Sequence, residues 1–289
     1  MASQLTVPFT WVGTKVSMRR ALLPIIDTIP RRLYVEPFFG AGGLFFGKER
    51  EKAEVVNDRN DFIMNLFRTL RDEQNYREVM RLLDATPMSR SAYYELFSLF
   101  KLYFQHSHES RIADMKRLAR LDGYSDEVVK AYVFFYIKTT CFGGTGIKRT
   151  FAGGQKGDHA NKIARDYLQK RSNLHRYVSR LDGVVLESLD VFDCVSKYDD
   201  ASTLFYLDPP YDSQSTKEYK LPWRDDEERA LVDTLANIKG RFVLTCYDTP
   251  NYRRLLDANC ERIEVKRKST ISSFCKENEL RIETIYIKR

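Results

Sequence analysis

Glycine and proline are sparse in the 289 residues, 14 and 9 of them, which excludes a collagen-like or low-complexity chain. The longest uninterrupted apolar run, residues 131–137, is seven residues, far short of the roughly 20 that a membrane span needs. Residues 1–10 lack a basic stretch followed by an apolar one, so no secretory leader is expected. Cysteine is scarce and odd in number, at positions 141, 194, 246, 260 and 275, with no C-x-x-C pair. Neither a disulfide framework nor a zinc ribbon is suggested. Histidine is rarer still: of four, His106 and His108 alone stand close together, and they give no metal-ligand spacing. The expectation is a cytosolic globular protein with reduced cysteines and no metal, built as one large domain or a core with an insert.

What is present is a substantial apolar fraction, 43%, enough for a buried core, and a net charge of +7. The distribution of that charge is more informative than its total. Residues 138–180 hold ten basic and two acidic residues, which leaves the rest of the chain close to neutral. Aromatics and glycines (Phe142, Phe151, Gly143, Gly144, Gly153, Gly154) are interleaved with them. Such a patch reads as a footprint for a polyanion, nucleic acid above all. Against that stands a solvated basic helix, which residues 166–180 could partly be.

The chain changes texture twice. Residues 30–66 hold short apolar strands with turn chemistry between them, and residues 44–50 are expected to start a helix, giving a β-turn-α-β unit. Residues 62–138 are mainly helical by period: Ile63, Leu66, Phe67 and Leu70 share one face, as do Tyr93, Leu96, Phe97 and Phe100. Strands return at 184–186, 203–207 and 241–245, with a helix over 225–238 between the last two. The segments 262–266 and 280–287 alternate apolar and charged residues at period two, which predicts an antiparallel hairpin at one edge of a parallel sheet. The fold class is therefore α/β, with residues 1–70 and 171–289 forming the sheet domain and a mostly helical, basic insert over 71–170. Open sheets of this kind bind ligands at the carboxyl ends of their strands.

Three such strand ends carry chemistry. Asp208-Pro209-Pro210-Tyr211 follows the strand 203–207 directly. The double proline ends the strand and fixes the backbone, so that a carboxylate, proline carbonyls and an aromatic ring follow one another. That set suits an exocyclic amine, with its base stacked on Tyr211. Glu36-Pro37-Phe38-Phe39-Gly40-Ala41-Gly42-Gly43 follows a second strand, and its glycines permit a sharp turn close to a ligand. Within it Gly42 to Lys48 matches G-x-x-x-x-G-K, but Glu49 replaces the Ser or Thr of a phosphate cradle. Asp58 ends the next strand, where an acid can accept from ribose hydroxyls.

These residues converge on a family. The chain resembles the Dam-type DNA adenine-N6 methyltransferases (D12 class, alpha group). Pro8-Phe9-Thr10-Trp11-Val12-Gly13-Thr14-Lys15 is similar to that family's N-terminal cofactor motif, the run from Glu36 to Gly43 to its glycine-rich loop, and Asn57-Asp58 to its ribose-binding acid. Leu189-Asp190-Val191-Phe192 is similar to the segment that contacts the cofactor adenine, Asp208 to Tyr211 to the catalytic tetrapeptide, and Tyr247-Asp248-Thr249 to a strand end of the pocket. The order of these motifs is a stronger signal than any one of them.

The resemblance implies a Rossmann-like methyltransferase sheet that uses S-adenosylmethionine without a metal. Asp208, Pro209, Pro210 and Tyr211 would be catalytic. Trp11, Lys15, Glu36, Pro37, Phe38, Gly40, Gly42, Asp58, Asp190, Val191 and Asp208 would line the cofactor site. It implies a flipped adenine in double-stranded DNA as substrate, in a short site of which GATC is one candidate. No cysteine follows a proline, so the Pro-Cys nucleophile of cytosine-C5 enzymes is absent. Residues 136–144 are similar to the family's DNA-reading hairpin, with Gly143 where an asparagine is usual and Thr245-Cys246 where Ser-Asn is common in the pocket strand. Phe142, Lys148, Arg149, Lys156 and Lys162 would meet DNA, joined by Lys266, Arg267 and Lys268 opening the loop between the last two strands. A monomer is implied, a dimer on DNA being the alternative, in a bacterial or phage-encoded cytoplasmic setting with a cognate restriction enzyme as a possible partner. Three other readings stay open: cytosine-N4 methylation, RNA adenine methylation, and a catalytically silent DNA-binding module.

Overall fold

The computed structural model describes residues 5–105, 109–141, 151–152, 158–210, 223–268 and 280–289. In chain order the elements begin with α1 (Arg19–Asp27), β1 (Leu33–Glu36), β2 (Glu54–Asn57), α2 (Asp61–Arg71) and α3 (Glu73–Ala85). Next come α4 (Arg90–Phe104), α5 (Glu109–Leu118), α6 (Asp126–Thr140), α7 (Asp158–Ser172), α8 (Leu174–Arg180) and β3 (Val185–Glu187). The chain continues through α9 (Val191–Tyr198), β4 (Thr203–Leu207), α10 (Asp225–Asn237), β5 (Arg241–Cys246), α11 (Pro250–Arg253), β6 (Glu261–Lys268) and β7 (Leu280–Lys288). They form two compact units. One comprises Met1–Val16, Gly40–Gly47 and Asn60–Leu186; the other comprises Ser17–Phe39, Lys48–Arg59 and Glu187–Arg289.

The first unit is helical and is organised around α6. That helix contains the longest apolar run, and from Val128 to Thr140 every side chain except Lys130 is buried. A helix apolar on all sides must be surrounded, and α6 packs against α2, α3, α4 and α7. The predicted faces hold: Ile63, Leu66, Phe67 and Leu70 of α2 are buried, as are Tyr93, Leu96, Phe97 and Phe100 of α4. Side-chain caps set the starts. Asn60 accepts from the Phe62 amide at 3.1 Å, Ser89 from Ala92 at 3.2 Å and Ser125 from Val128 at 3.3 Å. Two expectations are corrected. Residues 44–50 contain a single 3-10 turn, Phe45–Gly47, instead of the start of a helix; directly after it Lys48 pairs with Glu54, the first residue of β2, and the chain passes on to that strand. Tyr136, Ile137 and Lys138, aligned with a hairpin, lie inside α6, where the Tyr136 hydroxyl donates to the Pro87 carbonyl at 2.9 Å. Among the described residues, no helix is long and apolar enough to cross a membrane.

The second unit carries the sheet, in the order β3-β2-β1-β4-β5-β7-β6; β3 spans the point where the chain passes from one unit to the other. Strands β2, β1, β4 and β5 are mutually parallel, whereas β7 is antiparallel to both β5 and β6. The predicted α/β class with an antiparallel C-terminal hairpin is thus the architecture observed. One face of the sheet (Val35, Val55, Phe205, Leu207, Phe242, Leu244, Tyr286) packs on Val191, Cys194 and Val195 of α9 and Leu231, Val232 and Leu235 of α10. Residues 266–268, expected to open a loop, continue β6 instead, paired as far as Lys268 with Leu280. Because β6 runs parallel to β5, and Glu264 and Cys246 both stand opposite Thr284, these residues extend past the carboxyl end of β5.

Candidate active site

In the second unit the carboxyl ends of adjacent parallel strands gather the predicted acids. Glu36 closes β1, is 2% exposed, and accepts from the Tyr34 hydroxyl at 2.7 Å. Burial, followed by the nearby Glu36, pushes the Tyr34 phenol well above its ordinary value, so it stays a donor. Phe38 meets Trp223 edge to face at 5.5 Å. Asn57, the last residue of β2, ties three segments together. Its amide donates to the Pro37 carbonyl at 2.9 Å and the Leu189 carbonyl at 3.2 Å, and its Oδ1 accepts from the Leu189 amide at 2.7 Å. The Asp58 backbone continues the tie: its carbonyl accepts from the Ser188 hydroxyl at 3.4 Å. Asp190 caps α9 by accepting from the Phe192 amide at 3.0 Å, and its other oxygen lies 3.4 Å from Arg59, which also reaches Glu227 at 3.7 Å. Val191, at the start of α9, is buried in the core.

Asp208 follows β4 and is half-buried, Pro209 is buried and Pro210 is half-buried. The β4–β5 register ends with Leu207 opposite Leu244, so the next pair is Asp208 beside Thr245. The Thr245 hydroxyl lies 3.0 Å from Asp208 Oδ1 and 3.1 Å from the Tyr206 hydroxyl. Beyond β5, Asp248 accepts from the Tyr286 hydroxyl at 2.7 Å, from Arg253 at 2.9 Å and from Arg262 at 2.8 Å. Burial alone would raise this carboxyl; the bonds from Arg253, Tyr286 and Arg262 outweigh it and hold Asp248 below its ordinary value.

The first unit holds the remaining cofactor candidates. Gly40 and Gly42 adopt left-handed backbone, φ +52 and +67. A methyl group on Gly40 would stand 3.1 Å from Trp11 Nε1. On Gly43 it would stand 2.1 Å from Thr14 Oγ1 and 2.8 Å from the Lys15 amide nitrogen. The glycines therefore let this loop lie directly against the segment 11–15. Lys15 is buried and donates to the Gly13 carbonyl at 2.9 Å. Lys138 sits 4.5 Å above the Trp11 ring, a cation–π contact. The lysine of the apparent phosphate motif is spoken for in the second unit: Lys48 is buried between Glu54 at 2.6 Å and Glu51 at 2.9 Å, 4.2 Å from the Tyr34 ring.

Of the DNA candidates, Lys162 on α7 and Lys266 on β6 are exposed. Arg267 and Lys268 are described as backbone of β6. Tyr211, Phe142, Lys148, Arg149 and Lys156 lie outside the described residues, as do residues 143–144 of the aligned hairpin; Cys141 and Phe151, which bracket that stretch, form an antiparallel bridge. Arg59 and Tyr206 have no role in the sequence reading, while Asn57 enters it only within the Asn57-Asp58 motif and Thr245 only as a departure in the pocket strand. Asn57 did leave a signal, a polar residue ending an apolar strand that the fold buries to 1% exposure.

An open, largely parallel sheet with acids at the carboxyl ends of β1 and β2 and an Asp-Pro-Pro run after β4 is the architecture of an α/β methyltransferase fold. Residues 11–271 match the D12 class N6 adenine-specific DNA methyltransferases, and the chain belongs to that family. It is similar to the type II methyltransferase M.MjaIII of Methanocaldococcus jannaschii, 23% identical over 277 residues, covering 89% of this chain and 90% of that one. It is also similar to the type II methyltransferase M1.LlaDCHI of Lactococcus lactis subsp. cremoris, 38% identical over 93 residues, covering 31% of this chain and 30% of that one. The protein is a DNA adenine methyltransferase, of a family that uses S-adenosylmethionine. The carboxylates at the ends of adjacent strands in the second unit suit that cofactor: Glu36 and Asp58 could accept from its ammonium group and ribose hydroxyls.

Proposed function

We propose that the enzyme methylates N6 of an adenine flipped out of duplex DNA, with Asp208 and the Pro209 carbonyl as the groups that grip the amine. The observation that carries this reading is the Asp-Pro-Pro run fixed at the end of the buried strand β4. Adenine N6 is a poor nucleophile because its lone pair is delocalised into the ring. Hydrogen bonds donated by N6–H to the Asp208 carboxylate and the Pro209 carbonyl localise that lone pair. S-adenosylmethionine supplies an electrophilic methyl group on a sulfonium. Transfer would leave S-adenosylhomocysteine as the second product and N6 positively charged; the Asp208 carboxylate stabilises that charge until the N6 proton is released to solvent. Most of the acceleration then comes from positioning and electrostatics. Tyr211 stacks on the base, and Pro210 keeps the turn rigid.

Glu36, Pro37, Phe38, Asp58, Asp190 and Val191 are proposed to contact the cofactor, as are Trp11, Lys15, Gly40 and Gly42. Residues 71–170 are proposed to form the target-recognition insert, with Phe142, Lys148, Arg149, Lys156 and Lys162 meeting DNA, and Lys266, Arg267 and Lys268 holding phosphates. A GATC-like site, a monomer in the cytoplasm of a bacterial or phage-infected cell, and a cognate restriction enzyme complete the proposal. The type II names of its relatives support the last of these.

The test is methyl transfer from labelled S-adenosylmethionine to unmethylated genomic DNA, followed by digestion to nucleosides and mass spectrometry, with Asp208→Ala alongside. N6-methyladenine that disappears with Asp208→Ala is the expected result. N4-methylcytosine would overturn the base assignment. Transfer to RNA alone, or cofactor binding without any product, would overturn the substrate.

A further inference from the structure

Tyr206 and Asp208 point to the same face of β4, being two residues apart, and the cross-strand neighbour of Asp208 on that face is Thr245 of β5. Thr245 is fully buried, and its hydroxyl lies between two acceptors, the Asp208 carboxylate at 3.0 Å and the Leu207 carbonyl at 3.3 Å. A threonine hydroxyl has one proton to give. The shorter distance and the negative charge both favour the carboxylate, since hydrogen bonds to ionised acceptors are about twice as strong as neutral ones. With that proton committed, the 3.1 Å contact to Tyr206 has to be donated by the phenol. Burial, then the Asp208 charge, pushes the Tyr206 phenol well above its ordinary value, which keeps that donor protonated.

We propose that Thr245, backed by Tyr206, is a positioning residue of the methyl-transfer reaction: a buried relay, Tyr206 to Thr245 to Asp208, fixes the rotation of the Asp208 carboxylate. This inference rests on the reading of Asp208 as the acceptor of the N6 amine. A carboxylate at a strand end is free to rotate about its last torsion, and the amine needs an oxygen held at one angle through the transfer. The bond to Oδ1 from a side chain locked inside the sheet restrains that rotation. The Tyr206 bond in turn orients the threonine, so that the threonine proton faces the acid.

Steady-state kinetics with saturating DNA test the relay, using Thr245→Val, Thr245→Ser and Tyr206→Phe beside Asp208→Ala. Thr245→Val keeps the shape and loses the hydroxyl, and kcat is expected to fall about 10- to 100-fold, the range for losing a hydrogen bond to a charged group. The KM for DNA and the Kd for S-adenosylmethionine are expected to change less than about three-fold, because the lost contact acts on the reacting amine rather than on ground-state binding. Thr245→Ser restores the hydroxyl and should return kcat to within about three-fold of the parent enzyme. Tyr206→Phe should reduce kcat less than Thr245→Val does. A Thr245→Val enzyme as fast as the parent, or a serine variant as slow as the valine one, overturns the relay. Persistent N6-methyladenine from Asp208→Ala overturns the reading of Asp208 itself; its loss alongside a fully active Thr245→Val enzyme overturns the relay alone.

Discussion

An alanine methyl at position 43 would lie 2.1 Å from Thr14 Oγ1 and 2.8 Å from the Lys15 amide nitrogen. The threonine side chain can rotate away, but the backbone nitrogen cannot, so Gly43→Ala forces the loop off the segment 11–15. Overpacking of this kind costs about 1–3 kcal/mol. Gly43→Ala is therefore expected to lower the thermal midpoint and to weaken S-adenosylmethionine binding, both readable by a melting curve with and without cofactor. An unchanged midpoint and unchanged affinity would show that the loop has room to spare. The sequence made this loop visible as a glycine cluster after a strand, yet it also offered a false phosphate motif ending at Lys48. What decides between them is distant in kind: Lys48 turns to Glu54, the first residue of β2. That pairing depends on where the strand begins, which residue spacing does not reveal. Asn57 was similarly visible as part of a motif, while its three hydrogen bonds to Pro37 and Leu189 required the fold.

The strands β4 and β5 and the helix α10 were legible almost to the residue, because short apolar runs flanked by turn chemistry have few alternatives. The C-terminal hairpin was legible as a pair but not in its surroundings. Period two predicts one wet face for each strand, whereas β7 is buried from Glu283 to Ile287. It lies between β5 and β6, so it is an inner strand, and the wet edge falls to β6, where Ile263 is 38% exposed. Asp248 ties this hairpin to the end of β5 by accepting from Tyr286 and Arg262. Its carboxyl is held below the ordinary 3.8, by hydrogen bonds from Arg253, Tyr286 and Arg262 that outweigh the opposing effect of burial. A depressed acid stabilises the fold fully above its unfolded value, and that stabilisation is lost as pH falls through the folded value. Asp248→Asn is thus expected to cost about 1–3 kcal/mol at neutral pH, the scale of hydrogen bonds to a charged group. Urea unfolding at a series of pH values should show the gap between parent and variant constant down to about pH 5 and closing below about pH 4. A gap that stays constant into the acid range would mean that the carboxylate charge contributes nothing to the clasp.

Over the whole molecule, the excess positive charge of residues 138–180 serves two purposes that composition cannot separate. Part of it is internal. Lys138 lies over Trp11, Lys170 donates to the Thr10 hydroxyl at 2.9 Å, Arg171 reaches Asp84 at 3.4 Å, and Arg180 lies 3.9 Å from the Phe45 ring. Partial burial pushes the Lys170 ammonium below its ordinary value. Lys162 and Arg165, on the same helix α7, are exposed. A basic segment read from sequence as one footprint is therefore partly scaffold, and two lysines eight positions apart should behave differently toward DNA. Each phosphate contact contributes about −0.9 to the slope of log K against log salt on duplex DNA. If Lys162 holds a phosphate, Lys162→Glu weakens binding and reduces the magnitude of that slope by about one, irrespective of DNA sequence. Lys170→Met is expected to lower the thermal midpoint and leave the slope unchanged, because its ammonium is bound to Thr10 within the protein. Titrations of both variants against a duplex at several salt concentrations separate the two roles. An unchanged slope for Lys162→Glu would remove that lysine from the DNA interface, and a reduced slope for Lys170→Met would bring the half-buried ammonium into it.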